Sequence, residues 1–318
     1  MKLLYLECNM GAAGDMLMGA LADLLPDKEA FAEKINRLGI PGVHVAFRES
    51  VKCGIVGTHA EVTVHGAEEE SVEVPAHDPE QHTYEHLHNH EPEPHIHGHS
   101  HNHKPEPHVH EHPHSHESEP HVHEHSHNHK PEPHAHEHPH SHEPEPHTHE
   151  HHGMAEITSL IEGLELPAEV KEDVKNIYGI IAEAEAAVHG KPVPEIHFHE
   201  VGTADALADI IGCAMLIREL GADRIVTSPV NVGYGQVRCA HGILPVPAPA
   251  TARILEGVPC YAGRMEGELC TPTGAALLKY YTDEFSRMPQ MVLGKIGYGM
   301  GKKDFPAANC VRAVLGEK

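Results

Sequence analysis

A segment rich in proline and histidine, residues 77–152, interrupts the chain and limits what it can fold into. It holds 29 of the 36 histidines, and Pro-His pairs recur in it every 13 residues. Proline at every few positions is incompatible with a helix, and the segment offers almost no apolar side chains for a core. We therefore expect a disordered insert that divides a foldable domain into residues 1–76 and 153–318.

The insert is predicted to bind metal diffusely. Alternating His-x-His with interspersed Glu offers many flexible ligand sets for borderline divalent metals such as Ni, Cu or Zn. Nothing in the segment fixes a ligand geometry, so it is suited to collecting metal and not to catalysis. Ligands of this kind include His95, His97, His99, His101 and His103.

Charge, cysteine content and hydropathy exclude several classes of function. The formal charge of −25 argues against a nucleic-acid partner. The seven cysteines are odd in number and form no CxxC pair, which favours a reducing cytoplasm over a disulfide framework. No apolar run approaches the roughly 18 residues needed to span a bilayer, so we expect no membrane partner.

The stretch EIHFHEVGTADALAD, residues 195–209, concentrates side chains that bind metals or protons. In an extended segment side chains alternate faces, so His197 and His199 would point the same way, with Glu200 next to them. Clustered imidazoles rarely serve a hydrophobic core. These three residues are therefore candidates for metal binding, and His199 and Glu200 also for proton transfer.

A helix is predicted to begin just after this cluster, with Gly202-Thr203 as its N-cap. Asp205 and Asp209 are four residues apart, so they share one face of its first two turns. The alternative interpretation is a solvated helix start, where the helix dipole favours carboxylates.

Two turns that open helices are candidate anion sites. The GAAGDM turn follows an apolar strand, and the Thr-Pro-Thr-Gly turn precedes ALLKYY. Helix N-termini of this kind point backbone N–H groups at an anion, although each could equally be a tight turn or a well-capped helix. Neither is a Walker loop, since GxxxxGK[ST] is absent. The residues concerned are Gly11, Gly14 and Asp15, and Thr271, Thr273 and Gly274.

Short strands alternate with helices after Ala155, which favours an α/β fold, with α+β as the alternative. We expect a mixed sheet with flanking helices. It would include a hairpin turning at Cys53-Gly54, an unbroken strand over residues 225–232, and a strand, a basic Gly-rich loop and a last strand at the end. A long helix should end at Gly190, with Glu183, Glu185 and His189 on a solvated face.

The motifs, in order, resemble one family. GAAGDM, the His-rich segment, AEAAVHG, HFHEVGTADALADIIG, VNVGYGQVRCAHGILPVPAPAT and ELCTPTGAALL are similar to the LarC family of nickel insertion proteins. The resemblance implies a cyclometallase of the lyase class. It would insert Ni(II) between the two thiocarboxylates of pyridinium-3,5-bisthiocarboxylic acid mononucleotide, consuming CTP with Mn(II) or Mg(II). The product would be the nickel-pincer cofactor, received by lactate racemase.

The resemblance implies a role for each candidate site residue. His197, His199 and Glu200 would hold the incoming Ni(II), with Asp205 or His241 completing the set. Loss of a ring proton requires a base, which His199, Glu200 or His241 could supply. Either candidate turn could receive the phosphate of the substrate.

The chain departs from the family in one respect, since full-length members carry a further C-terminal domain, which would be a partner of this chain. This chain would then supply the nickel-binding part, and activity could require the added domain. The alternative from another class is a non-catalytic nickel store or metallochaperone, which the His-rich segment alone would support.

Overall fold

The computed structural model describes residues 1–68, 153–196, 198, 203–239 and 241–318. The predicted insert, residues 77–152, lies outside the described residues, so its boundaries and its disorder remain predictions. The strands are β1 Lys2–Glu7, β2 Val43–Lys52, β3 Ile55–Val64, β4 Ala67–Glu68, β5 Arg224–Thr227, β6 Val230–Asn231, β7 Gly233–Tyr234, β8 Gln236–Cys239, β9 Gly242–Pro245, β10 Cys260–Tyr261, β11 Gly267–Glu268, β12 Glu284–Phe285, β13 Val292–Met300 and β14 Cys310–Glu317. The α-helices are α1 Gly14–Ala22, α2 Lys28–Asn36, α3 Met154–Gly163, α4 Ala168–His189, α5 Ala204–Leu220, α6 Pro249–Ile254 and α7 Pro272–Tyr281.

One mixed sheet organises these elements, with strand order β12-β5-β1-β14-β13-β3-β2 and β4 paired to β3. Strand β1 is parallel to β5 and antiparallel to β14, with Tyr5 opposite both Val226 and Val314. The sequences before and after the predicted insert therefore build a single sheet. The prediction of a mixed α/β architecture is confirmed.

The turns and helix ends form where the sequence predicts them. The hairpin β2–β3 turns at Cys53-Gly54, where both residues have positive φ. Helices α4 and α5 end at Gly190 and Gly221, each in the left-handed conformation that glycine adopts without a Cβ penalty. Thr203 occupies the N-cap position of α5, although its side chain makes no capping hydrogen bond.

Two predicted segments differ from the structure. The expected strand over residues 225–232 breaks at Ser228-Pro229, because proline has no N–H to continue the ladder. Strand β5 remains in the main sheet, and β6 pairs with β10 instead. The predicted Gly-rich loop is also shorter than expected, since Gly297 and Gly299 lie within β13. A Cβ at Gly299 would overlap the carbonyl oxygen of Met16, so glycine here lets α1 lie directly on the sheet.

The core lies mainly on one face of the sheet, where Leu4 and Leu6 of β1 pack with the buried sides of the helices. A smaller cluster on the opposite face joins Leu3, Tyr5, Val226 and Val314. The sheet is therefore covered unevenly, with the helical layer on the side of α1.

A buried carboxylate ties the helices of this layer together. Asp173 of α4 is 5% exposed and accepts hydrogen bonds from Arg218 Nε and Nη2 of α5 at 2.6 and 2.9 Å. It also accepts from the hydroxyls of Tyr280 and Tyr281 at the end of α7, at 2.9 and 3.1 Å. Because this one carboxylate accepts hydrogen bonds that join three helices, removing it would leave several donors without an acceptor.

We expect Asp173→Ala to lower the free energy of unfolding by about 2–3 kcal/mol, because it leaves the guanidinium and two hydroxyls without their acceptor. The neighbouring exposed Glu172→Ala is the matched control and should change it by no more than about 0.5 kcal/mol. Denaturant unfolding of both variants checks this. Equal effects would show that the network contributes no net stability.

Candidate functional site

The candidate site is a cavity of about 710 Å³ next to the helical layer. The N-termini of α1, α5 and α7 line it, as do the last turn of α4, the hairpin β8–β9 and the loop between β13 and β14. Its volume is within the range of small-molecule sites, about 300–1,000 Å³. Side chains that are far apart in the sequence meet here.

The two turns considered as separate anion sites form one unit. Ala12 N–H donates to the Leu269 carbonyl at 3.0 Å, and Thr271 N–H donates to the Ala12 carbonyl at 3.1 Å. A Cβ on Gly274 would overlap this same Ala12 carbonyl oxygen, so the approach requires glycine. The Thr271 hydroxyl accepts from Gly274 N–H at 3.2 Å and so caps α7.

The residues of the two turns fall into two groups, those that line the cavity and those that hold the turns together. Gly14, Asp15, Thr271 and Thr273 line the cavity, whereas Gly11 and Gly274 serve the contact between the turns.

Three aspartates converge where α1 and α5 begin. Asp15 lies in the first turn of α1, and Asp205 and Asp209 share one face of α5. A Cβ at Gly14 would overlap the Asp209 carboxylate, so this glycine makes room for it. Within the part of the chain that the structure describes, Oδ1 of Asp205 and Oδ1 of Asp209 are buried without a hydrogen-bond partner. The cluster therefore has unused capacity to accept a proton, a donor or a cation.

The electrostatics of this cluster favour bound protons. Burial, followed by the charges of Asp15 and Asp205, raises the pKa of Asp209 well above its usual range. Burial also raises the pKa of Asp15, against the opposing effect of Lys302 and His59. Burial therefore disfavours the ionised forms of Asp15 and Asp209, and at Asp209 the neighbouring carboxylates add to this effect.

The buried hydroxyl of Tyr178 adds an acid that the sequence did not reveal. It has no hydrogen-bond partner among the described residues, and burial together with the charges of Asp205 and Asp209 raises its pKa. Phe198 is 2% exposed and packs edge-on to the Tyr178 ring with centroids 5.9 Å apart. Phe198, the one aromatic side chain of the stretch EIHFHEVGTADALAD, is therefore packed in the core.

A second group of polar side chains lies on another wall. His241, in the turn of hairpin β8–β9, has its ring centroid 4.9 Å from that of His189 in the last turn of α4. Glu185 Oε2 lies 3.4 Å from His189 Nε2. The solvated-face prediction is right for Glu183 and His189, which are exposed, whereas Glu185 is partly buried; Glu185 and His189 also line the cavity.

Basic residues line the cavity as well, although they were not predicted as site residues. Lys302 and Lys303 come from the loop after β13, and Arg238 comes from β8. Lys302 Nζ lies 3.1 Å from Glu68 Oε1, and the same oxygen is 3.2 Å from His59 Nε2. The only signal in the sequence was the basic Gly-rich loop itself.

Several predicted ligands cannot be placed. His197, His199 and Glu200 lie outside the described residues, as do His95, His97, His99, His101 and His103. Among the residues that are described, no three His, Cys, Asp or Glu side chains are arranged to hold a metal ion. Of the predicted metal and catalytic residues, Asp205 and His241 are placed, and both line the cavity.

The structure is that of an α/β protein with a cavity lined by charged side chains, and comparison with known proteins identifies the family. A model described as nickel insertion protein matches residues 4–318, so the chain belongs to this family. No solved structure matches the chain.

Curated relatives carry a more specific name, pyridinium-3,5-bisthiocarboxylic acid mononucleotide nickel insertion protein. That of Desulfitobacterium hafniense (strain DCB-2) is 45% identical over 317 residues, covering 100% of this chain and 59% of the relative. That of Geobacillus kaustophilus is 34% identical over 319 residues, covering 100% and 60%. The chain thus spans about 60% of the length of the curated relatives it matches.

Two further observations bear on its setting. Within the described ranges, no helix has the length and hydropathy required to cross a membrane. All seven cysteines lie in the described residues and all are free.

The junction of the two turns gives a test of packing. We expect Gly274→Ala to lower the free energy of unfolding by about 2–3 kcal/mol, because its methyl group meets the Ala12 backbone, which cannot move aside. Gly179→Ala in α4 is the matched control. Nothing lies within 4 Å of its added methyl group, so it should raise stability by about 0.5–1 kcal/mol. Thermal or denaturant unfolding distinguishes them, and a neutral Gly274→Ala would contradict the close approach.

The aspartate cluster gives a test of charge. The pKa of Asp209 is higher in the folded state than in the unfolded chain, so the folded state binds more protons between those values. The contribution of Asp209 to stability is therefore largest at low pH and is lost as pH rises through the folded pKa.

We thus expect Asp209→Asn to raise Tm at pH 7 by about 2–4 °C, the effect of about 1 kcal/mol in a domain of this size. The gain should shrink as pH falls toward the unperturbed value of 3.8. Asp304→Asn, at an exposed site beside Lys52, is the control and should leave Tm nearly unchanged. A lower Tm for Asp209→Asn at pH 7 would show that the carboxylate is stabilising.

Proposed function

We propose that this chain is the nickel-handling part of a cyclometallase that inserts Ni(II) into pyridinium-3,5-bisthiocarboxylic acid mononucleotide, forming the nickel-pincer cofactor in the cytoplasm. One observation carries the proposal. A single cavity joins Asp205, His241 and both candidate anion turns in a member of the nickel insertion family. The relatives' names supply the substrate, and the charged and polar lining of the cavity supports the proposal.

The phosphate of the substrate is assigned to the side of the cavity formed by α7 and the basic loop. Thr271 and Thr273 present the helix N-terminus there, and helix N-termini attract anions. Lys302 and Lys303 add positive charge to the same cavity. The aspartates at the start of α1 and α5 add no positive charge, so we assign them to a different part of the ligand.

We assign the metal to the side of the cavity where α5 begins, directly after the HFHE stretch in the sequence. His197, His199 and Glu200 supply imidazole and carboxylate ligands suited to Ni(II), and Asp205 adds an oxygen that has no partner in the described structure. The two thiocarboxylate sulfurs of the substrate then displace protein ligands, because chelating sulfur binds nickel more strongly than single oxygens do.

Formation of the nickel–carbon bond requires a base but no redox step. The ring carbon gives its C–H electron pair to Ni(II) as the proton leaves, so the metal keeps its oxidation state. His199, Glu200 or His241 accepts that proton. The remaining aspartates, with raised pKa values, hold protons at the edge of the site.

We assign the other requirements of the reaction to the rest of the full-length family protein. CTP with Mn(II) or Mg(II) belongs, on the resemblance, to the C-terminal domain, and no residue of this chain is assigned to it. The finished cofactor would pass to the receiving racemase. A nickel store or metallochaperone is the competing function, favoured by the 29 histidines of residues 77–152.

An insertion assay on the full chain tests the proposal. The chain receives the mononucleotide, Ni(II), CTP and Mn(II), with and without a separately expressed C-terminal domain, and mass spectrometry detects the nickel product. We expect His199→Ala and Asp205→Asn to lower the rate by at least about 10²-fold, the range for loss of a catalytic group.

Deletion of residues 77–152 separates the two functions. An inserter tolerates the deletion when nickel is plentiful, whereas a store loses most of its nickel capacity. The storage function would replace our proposal if no combination formed product while the intact chain still bound many nickel ions and His199→Ala had no effect.

A further inference from the structure

We propose that Glu185, His189 and His241 form a landing site where Ni(II) first binds at the cavity before it passes to the substrate. None of the three belongs to the HFHE stretch, and two of them, Glu185 and His189, come from the end of α4. The proposal rests on the proposed function for the destination of the metal, whereas the binding itself is measurable without turnover.

The distances match those of ligands around one ion. Two imidazoles bonded to a metal at about 2.0–2.1 Å have ring centroids about 4.5–5.2 Å apart for bond angles of about 90–110°. The centroids of His189 and His241 are 4.9 Å apart. An oxygen and a nitrogen bonded to one ion at the same angles lie about 2.9–3.4 Å apart, and Glu185 Oε2 is 3.4 Å from His189 Nε2.

The electrostatics of the cavity favour a cation at this wall. His189 is in the last turn of α4, which ends at Gly190 in the left-handed conformation. The carbonyl end of a helix attracts positive charge, and α4 is a long helix of 22 residues. Glu185 adds a carboxylate, so this wall carries the opposite polarity to the N-terminal wall of α7.

The ligand chemistry identifies the class of metal. Two imidazoles and one carboxylate suit borderline divalent ions such as Ni(II), Zn(II) and Cu(II), whereas Mg(II) prefers oxygen ligands alone. In the described residues these three side chains are not arranged to hold a metal ion, so binding at this wall requires that they rotate toward the ion. Open coordination positions then remain for water or for substrate sulfurs, as a metal in transit requires.

Histidine Cε1 hydrogen–deuterium exchange, resolved by peptide mass spectrometry, tests this in the full chain. Metal coordination slows exchange at the bound ring, and separate peptides report His189 and His241 apart from the histidines of residues 77–152. With Ni(II) added until those histidines are saturated, we expect several-fold slower exchange at His189 and His241. Mg(II) should have no effect, and His44 on β2 should not respond to either ion.

Glu185→Gln and Glu183→Gln form the matched pair, since both are on α4 and only Glu185 lines the cavity. Glu185→Gln should reduce the slowing at His189, and Glu183→Gln should not. Unchanged exchange at His189 and His241 under saturating nickel would overturn the landing site. Equal behaviour of the two Gln variants would overturn the role of Glu185.

A second readout separates this inference from the proposed function. In the insertion assay with limiting nickel, His189→Ala should raise the nickel concentration that gives half-maximal rate. Slowed exchange without any insertion would retain the landing site and reject the proposed function. Insertion with an unchanged nickel dependence in His189→Ala would reject the landing site and retain the proposed function.

Discussion

The close docking of α1 between the sheet and the α7 turn is the constraint on which the rest of the structure depends. At Gly299 the β13 backbone meets the carbonyl of Met16, and at Gly274 the α7 turn meets the carbonyl of Ala12. Any side chain at either position would push α1 outward. Because both contacts are between backbones, the N-terminus of α1 is fixed in position, and Asp15 is fixed beside Asp209.

That position has an energetic cost that folding alone does not explain. Burial raises the pKa values of Asp15 and Asp209, and buried oxygens of Asp205 and Asp209 lack partners in the described residues. A core built only for stability would replace such groups with amides or apolar residues. Their presence in a cavity lined by lysines is typical of a binding site, where stability is traded for reactivity.

Much of the fold could be predicted from the sequence because its signals are local. The hairpin turn at Cys53-Gly54 and the helix end at Gly190 each depend on a residue that tolerates positive φ, and both are found as expected. The break at Ser228-Pro229 was missed because an apolar run outweighed a single proline, although proline cannot continue the ladder. The prediction that Asp205 and Asp209 share one face of α5 is confirmed, because a spacing of four residues on a helix is enough to determine it.

The candidate site was less predictable because it depends on contacts between distant parts of the chain. Nothing local indicates that Ala12 and Thr271 are joined by hydrogen bonds, since about 260 residues separate them. The same applies to His189 and His241. An acid and a histidine at i and i+4 on a helix are usually solvated, and nothing local indicates that Glu185 and His189 also line a cavity with His241 of the hairpin β8–β9.

Under the proposed function, the polarity of the cavity keeps its two charged ligands apart. Anion-attracting N-termini and lysines lie on one wall, and the carbonyl end of α4 lies on another, so phosphate and metal would not compete for the same charge. A metal held by imidazole and carboxylate with open positions exchanges its ligands stepwise. On that function, chelating sulfurs and a carbon donor would replace these groups one at a time, because they bind nickel more tightly.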